Sequence, residues 1–279
     1  MTFFAFFPEN RAIVVFTDLD GTLLDHSTYR FDAALPALHS LRHKNIPLVL
    51  CSSKTRAEME RLRAQLRLND PFITENGAAI FVPHGYFHRD FPHDKVTQAY
   101  AVRELGTPYS KLRAFLAGFK EQYPNALRGF GDLEAEEVAR LCGLSLEEAR
   151  LAKLREYDEP FVLRDMALEP EIVRQAKACG SQVTRGGRFH HLTGGNDKGR
   201  AVSILTDQFQ RESGEIVTIG IGDSQNDLPM LRAVNYPVLV QKPDRSYDPA
   251  VKLPNLILAS TPGPTGFRES VSKLIDALA

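Results

Sequence analysis

The 279-residue sequence has no tryptophan and only three cysteines, Cys51, Cys142 and Cys179. They are far apart, odd in number and without a C-x-x-C pair, which argues against a disulfide framework or a structural zinc site. Net charge is missing too, since 34 basic residues nearly cancel 35 acidic ones. No global field therefore attracts nucleic acid or an anionic membrane, and any anionic ligand must be held by local donors. No apolar run approaches the ~18 residues needed to span a bilayer. The start, Phe3-Phe4-Ala5-Phe6-Phe7, is apolar but short. It has no basic residue before it, and Pro8-Glu9-Asn10-Arg11 follows at once, unlike a secretory leader. It is expected to pack as an extension on the body of the protein, in a reducing cytoplasm.

What is present is a globular balance, 43% apolar and 25% charged, in a chain long enough for about two domains. Short β-branched runs alternate with amphipathic segments. Strands are expected at 13–18, 47–52, 72–74 and 78–82, and helices at 32–44 and 55–68. Thr55 and Glu58 form a capping-box pattern, and Asn76-Gly77 marks a turn. After residue 196 the alternation resumes, with a helix at 198–211, a strand at 216–220 and a helix at 227–233. Strands at 237–240 and 256–259 and a closing helix at 266–278 complete it. Strand–helix alternation predicts an α/β fold, a Rossmann-like parallel sheet flanked by helices. Between Pro83 and Thr193 the texture changes, with helices expected at 134–141 and 145–157 and strands at 161–168 and 182–192. The expected organisation is a core of residues 1–83 and 196–279 interrupted by an inserted α+β domain over 84–195. Pro83-His84-Gly85 and Gly194-Gly195-Asn196 would be its paired linkers.

Four polar clusters fall at strand ends, where an open α/β sheet binds ligands. Asp18-Leu19-Asp20-Gly21-Thr22 puts two carboxylates on one turn, suited to a hard cation such as Mg²⁺. Ser52-Ser53-Lys54-Thr55 offers hydroxyls, amides and an ammonium at a helix start, where phosphate is favoured. Lys198 opens a helix after Gly194-Gly195-Asn196-Asp197. Gly222-Asp223-Ser224-Gln225-Asn226-Asp227 spaces two acids by about one helical turn, so both can approach one cation. Each cluster alone has an ordinary structural use: turn, cap or solvated lysine.

In this order and spacing the four resemble the haloacid dehalogenase superfamily, in its phosphatase branch. The insert stands where the Cof-type members carry a large cap. The resemblance implies a Mg²⁺-dependent phosphotransfer enzyme with Asp18 as nucleophile. Mg²⁺ would be held by Asp18, the backbone carbonyl of Asp20, Asp223 and Asp227, with Asn226 orienting that shell. Ser52 and Lys198 would hold the phosphoryl oxygens. Asp20 would protonate the leaving alkoxide and then deprotonate the attacking water.

Further strings are similar to the mannosyl-3-phosphoglycerate phosphatases: Ser52 to Thr55, Glu75-Asn76-Gly77-Ala78, Arg155-Glu156-Tyr157-Asp158-Glu159-Pro160-Phe161, and Arg185-Gly186-Gly187-Arg188-Phe189-His190. They imply a small phosphorylated sugar–glycerate as partner, with Ser53 and Lys54 among the binding groups. Arg185 and Arg188, flanking Gly186 and Gly187, suit a carboxylate, and a hairpin with solvated arginines is the alternative. Glu159 and Asn76 could bond sugar hydroxyls, and of His190 and His191 only one can face the cleft. A glucosyl-3-phosphoglycerate or sucrose-phosphate phosphatase, a phosphomannomutase-like transferase and a sugar-phosphate-binding regulator remain alternatives.

Overall fold

The computed structural model describes residues 12–186 and 189–278. The Phe-rich start, Gly187 and Arg188 lie outside these residues. Along the chain run β1 (Ala12–Thr17), α1 (Leu35–His43), β2 (Leu48–Cys51), α2 (Arg56–Leu66), β3 (Phe72–Thr74), β4 (Ala79–Pro83), β5 (Lys95–Val96) and β6 (Tyr100–Glu104). Then come α3 (Tyr109–Gln122), β7 (Leu127–Gly129), α4 (Ala135–Cys142), α5 (Leu146–Ala152), β8 (Asp158–Leu163), α6 (Glu169–Ala178), β9 (Gln182–Gly186) and β10 (Phe189–Thr193). The chain ends with α7 (Lys198–Ser213), β11 (Ile216–Gly222), α8 (Leu228–Arg232), β12 (Tyr236–Gln241), β13 (Ile257–Pro262) and α9 (Gly263–Leu278).

The larger sheet has the order β13-β12-β11-β1-β2-β3-β4-β6-β5. It is parallel from β13 to β3, and β4, β6 and β5 add to it antiparallel. Alternate residues of the central strands point to opposite faces, and each face is covered. Val15, Leu50 and Ile219 pack with Leu38, Met59 and Phe267 from α1, α2 and α9. Val14, Phe16 and Val49 pack with Val202, Leu205 and Met230 from α7 and α8. This two-sided burial explains why the strands read as unbroken apolar runs. Among the described residues no helix is long and apolar enough to cross a membrane.

A second sheet, β7-β8-β10-β9, lies wholly within the middle of the chain. One of its faces packs Phe161 and Leu192 against Leu112 and Leu116 of α3 and Ile172 of α6. The larger sheet, however, runs on through β5 and β6 to Glu104. A break after Pro83 therefore falls inside that sheet rather than at its end. Where the chain leaves it and returns, the two crossings touch: a side chain at Gly194 would collide with Thr107, and one at Gly106 would press on Asn196.

Three other expectations shift. The helix expected at 145–157 ends at Ala152, and the strand expected to start at Phe161 already begins at Asp158. The strand expected at 182–192 is the β9–β10 hairpin.

Candidate active site

The parallel strands deliver the site residues to one end of the sheet. Asp18 follows β1 directly, its N–H donating to the Ile221 carbonyl at 2.9 Å. Gly21 then turns the chain at φ +81°, and a Cβ there would sit 2.6 Å from Oδ2 of Asp223. Only glycine allows the Asp18 loop to close on the Asp223 loop. Lys198 opens α7, which Asp197 caps by accepting the Arg200 N–H.

The Lys198 side chain is fully buried, its Nζ 2.6 Å from Asp18 Oδ1 and 2.6 Å from Asp227 Oδ1. Burial alone would favour loss of its proton, but Asp18 and Asp227 hold it charged and raise its pKa. Burial pushes the Asp18 carboxyl well above the usual carboxylate range, reinforced by Asp227 and opposed by Lys198. Asp223 is pushed up to about 6, by burial first and Asp227 second. The remaining oxygen of Asp227 accepts the N–H groups of Asp223 and Ser224.

One carboxylate oxygen from each of Asp18, Asp223 and Asp227 lies within 4.8 Å of the others. Three acids against one ammonium leave surplus negative charge in a pocket of oxygen donors, a set that fits a hard divalent cation. The Asp20 side chain stands outside this cluster. Its Oδ2 pairs with Lys54 Nζ at 2.9 Å, and its Oδ1 is buried without a partner.

Ser52 is buried at the end of β2 and its Oγ accepts the Lys54 N–H. Ser53 presents its carbonyl to Arg155 Nη1 at 2.9 Å. Asn76 lies in the β3–β4 turn, where its Oδ1 faces Asn226 Nδ2 at 3.4 Å and its carbonyl accepts from Asn196. Asn226 also accepts the Ser224 hydroxyl, so a polar chain joins this turn to the Asp223 loop.

In the second sheet the placement departs from expectation. Residues paired across antiparallel strands point to the same face. Glu159 pairs with Leu192, and His190 pairs with Phe161 and Arg185, so all of these share the face packed on α3 and α6. Glu159 there accepts from Arg113 Nη1 at 2.7 Å and from the Gly131 N–H, with its other oxygen buried and unpartnered. His190 stacks on Phe161 with Nε2 3.0 Å from Glu169. Arg185 is exposed on the edge strand β9. The opposite face carries Asp158 and His191, 2.9 Å apart, and Arg155 links Asp158 to the Ser53 loop. His84, His88 and His93 do not converge; each rests on a separate partner, Thr97, Glu212 and Phe91.

Comparison with known proteins gives this geometry its family. The model of the haloacid dehalogenase-like hydrolases matches residues 15–106 and 175–251, stopping and restarting around the second sheet's first elements. The chain belongs to this family. A Methanococcoides burtonii relative named glucosyl-3-phosphoglycerate/mannosyl-3-phosphoglycerate phosphatase is 46% identical over 94% of this chain and 97% of its own. A Pyrococcus furiosus relative named mannosyl-3-phosphoglycerate phosphatase is 36% identical over 81% of this chain and 90% of its own. Among solved structures, the Bacteroides thetaiotaomicron phosphatase BT1666 superposes with a TM-score of 0.70 at 16% identity, covering 98% of this chain and 99% of that one. This haloacid dehalogenase-like hydrolase is thus a phosphatase, a phosphoric monoester hydrolase.

One residue of the hydrolase was quoted from the sequence only within a string and given no role. Glu75 is fully buried and reaches from the β3–β4 turn to accept the N–H groups of Glu156 and Tyr157, each at 2.9 Å. It ties the larger sheet to the start of β8. The available signal was a charged residue directly after a buried strand.

Burial pushes its carboxyl up to about 7 against the pull of Arg155. The folded chain therefore binds a proton that the unfolded chain releases, and stability falls as pH rises from about 4.5 to about 7. The window corresponds to about 3 kcal/mol. In urea melts across this range, Glu75→Gln should flatten that part of the slope. Equal slopes in both proteins would assign the dependence to other groups.

Proposed function

We propose that this phosphatase hydrolyses mannosyl-3-phosphoglycerate to mannosylglycerate and phosphate through an aspartyl-phosphate. The observation that carries the chemistry is the buried Lys198 held 2.6 Å from Asp18 within a cluster of carboxylates. A nucleophile, a fixed cation and surplus carboxylates are what transfer of a phosphate dianion requires. The names of the relatives support the substrate.

Asp18 attacks phosphorus in line, forming the acyl phosphate as the bond to the glycerate oxygen breaks. Lys198 and Ser52 hold the phosphoryl oxygens, where transition-state charge accumulates. Asp20 donates its proton to the leaving alkoxide. It then takes a proton from the water that attacks phosphorus and releases Asp18 as carboxylate. Mg²⁺ held by Asp18, the Asp20 carbonyl and Asp223, with Asp227 and Asn226 steadying that loop, would screen the repulsion between nucleophile and phosphate dianion. The second sheet with its helices acts as a cap, its Asp158–His191 face turned toward the substrate's organic part. The scarcity of cysteine suits a reducing compartment such as the cytoplasm.

A second reading, hydrolysis of glucosyl-3-phosphoglycerate as well, is favoured by the double name of the 46%-identical relative. A phosphate-release panel with Mg²⁺ tests both. Mannosyl-3-phosphoglycerate is expected to turn over at least about 100-fold faster than mannose phosphates, by kcat/KM. Failure of both glycosyl phosphoglycerates while simple hexose phosphates react would overturn the assignment.

A further inference from the structure

Tyr29 has no part in the chemistry above, yet its placement is costly. The loop that carries it is closed by Asp25, whose Oδ1 accepts the N–H groups of Ser27 and Thr28 and the Thr28 hydroxyl. Tyr29 N–H donates to the Asp25 carbonyl, and Asp25 N–H to that of Arg30. This scaffold holds Tyr29 at φ +55°, a left-handed conformation that a bulky side chain seldom adopts and that is kept where structure demands it.

The ring comes to rest with Lys54 Nζ 5.2 Å from its centroid, the same ammonium that pairs with Asp20 at 2.9 Å. Burial and then the Asp20 charge push its phenol up, with smaller contributions from Cys142 at the end of α4 and Glu148 on α5. Through Lys54 the ring stands beside the Asp20 side chain. Even so, the residue remains 40% exposed. A ring serving only the core would be hidden.

We propose that Tyr29 is a specificity-determining contact, an aromatic face on which the sugar of the substrate stacks beside Lys54 and Asp20. This rests on the function proposed above, in which Asp20 serves the leaving oxygen. Whatever is bonded to that oxygen must then lie next to Asp20, within reach of Lys54 and the ring. Lys54 covers one face of the ring, and the ammonium together with the exposed part of the ring suits a group that is carboxylate at one end and carbohydrate at the other. Small-molecule sites combine apolar faces with a few fixed polar groups in this way.

The test compares two substrates that share phosphate and carboxylate and differ in the sugar, mannosyl-3-phosphoglycerate and 3-phosphoglycerate. Tyr29→Ala should lower kcat/KM on the first about 10-fold, mainly through KM, and on the second no more than about 3-fold. Tyr29→Phe, which keeps the ring, should stay within about 2-fold of the parent on both. Tyr29→Asn accommodates the left-handed backbone, so it should reproduce the alanine result in a loop of unchanged shape. An equal fall on both substrates, or no fall on either, overturns the proposal. Should the parent enzyme turn over neither glycosyl phosphoglycerate, the function proposed above fails separately. The ratio between its best sugar phosphate and 3-phosphoglycerate then still decides the role of Tyr29.

Discussion

Replacing Asp18 by asparagine is expected to lower phosphate release by about 10⁴-fold or more, with no loss of thermal stability. The two halves of this expectation come from one environment. Asparagine keeps an oxygen able to accept from Lys198 but cannot form the acyl phosphate. Asp18 is buried among acids that push its carboxyl upward, so a neutral side chain relieves repulsion instead of adding strain. Phosphate assays and a melting curve on the same preparation decide the matter. A fully active variant would place the nucleophile elsewhere, and an unfolded one would show that the charge is structural.

The second large effect concerns stability. Lys198→Met keeps an apolar stem of similar length but removes the ammonium bonded to both Asp18 and Asp227. These carboxylates, with Asp223 within 4.8 Å, would then face each other uncompensated. Breaking a buried pair on one side typically costs about 3–5 kcal/mol, because the orphaned charge stays behind. Urea unfolding at neutral pH should show a loss of that size, together with the loss of turnover. Adding Asp227→Asn should restore part of the stability, since the pair is coupled rather than additive. If Lys198→Met were as stable as the parent chain, the acids could not be as strongly coupled to the lysine as their 2.6 Å contacts require.

Legibility in the sequence followed the apolar runs. Asp18, Ser52 and Asp223 each come straight after a strand buried on both faces, so the polar residue ending the run marks the sheet's carboxyl edge. The capping box of Thr55 and Glu58 was readable for a similar reason: it is local, and both of its bonds form as the pattern demands. The strands β5 and β6 were not readable. One is only two residues long and the other is mostly half-buried, so neither shows the apolar run of a central strand.

The second sheet posed a different difficulty. Asp158 and Glu159 are adjacent acids on one strand and must point to opposite faces. Nothing local says which face meets α3 and which meets the Ser53 loop. Arg113 on α3 decides it by pairing with Glu159, a contact across 46 positions that no short motif contains. Arg185 and His190 follow from the same choice, because register carries both to the Glu159 side.

The contact between the outgoing and returning crossings near Gly106 and Gly194 has a mechanical consequence. Two tethers far apart would fix the smaller sheet like a bridge on two piers. Two that touch form a single pivot, and any swing of the smaller sheet must turn about that one line. Glycine sets its clearance, so a side chain at position 194 acts as a wedge in the joint.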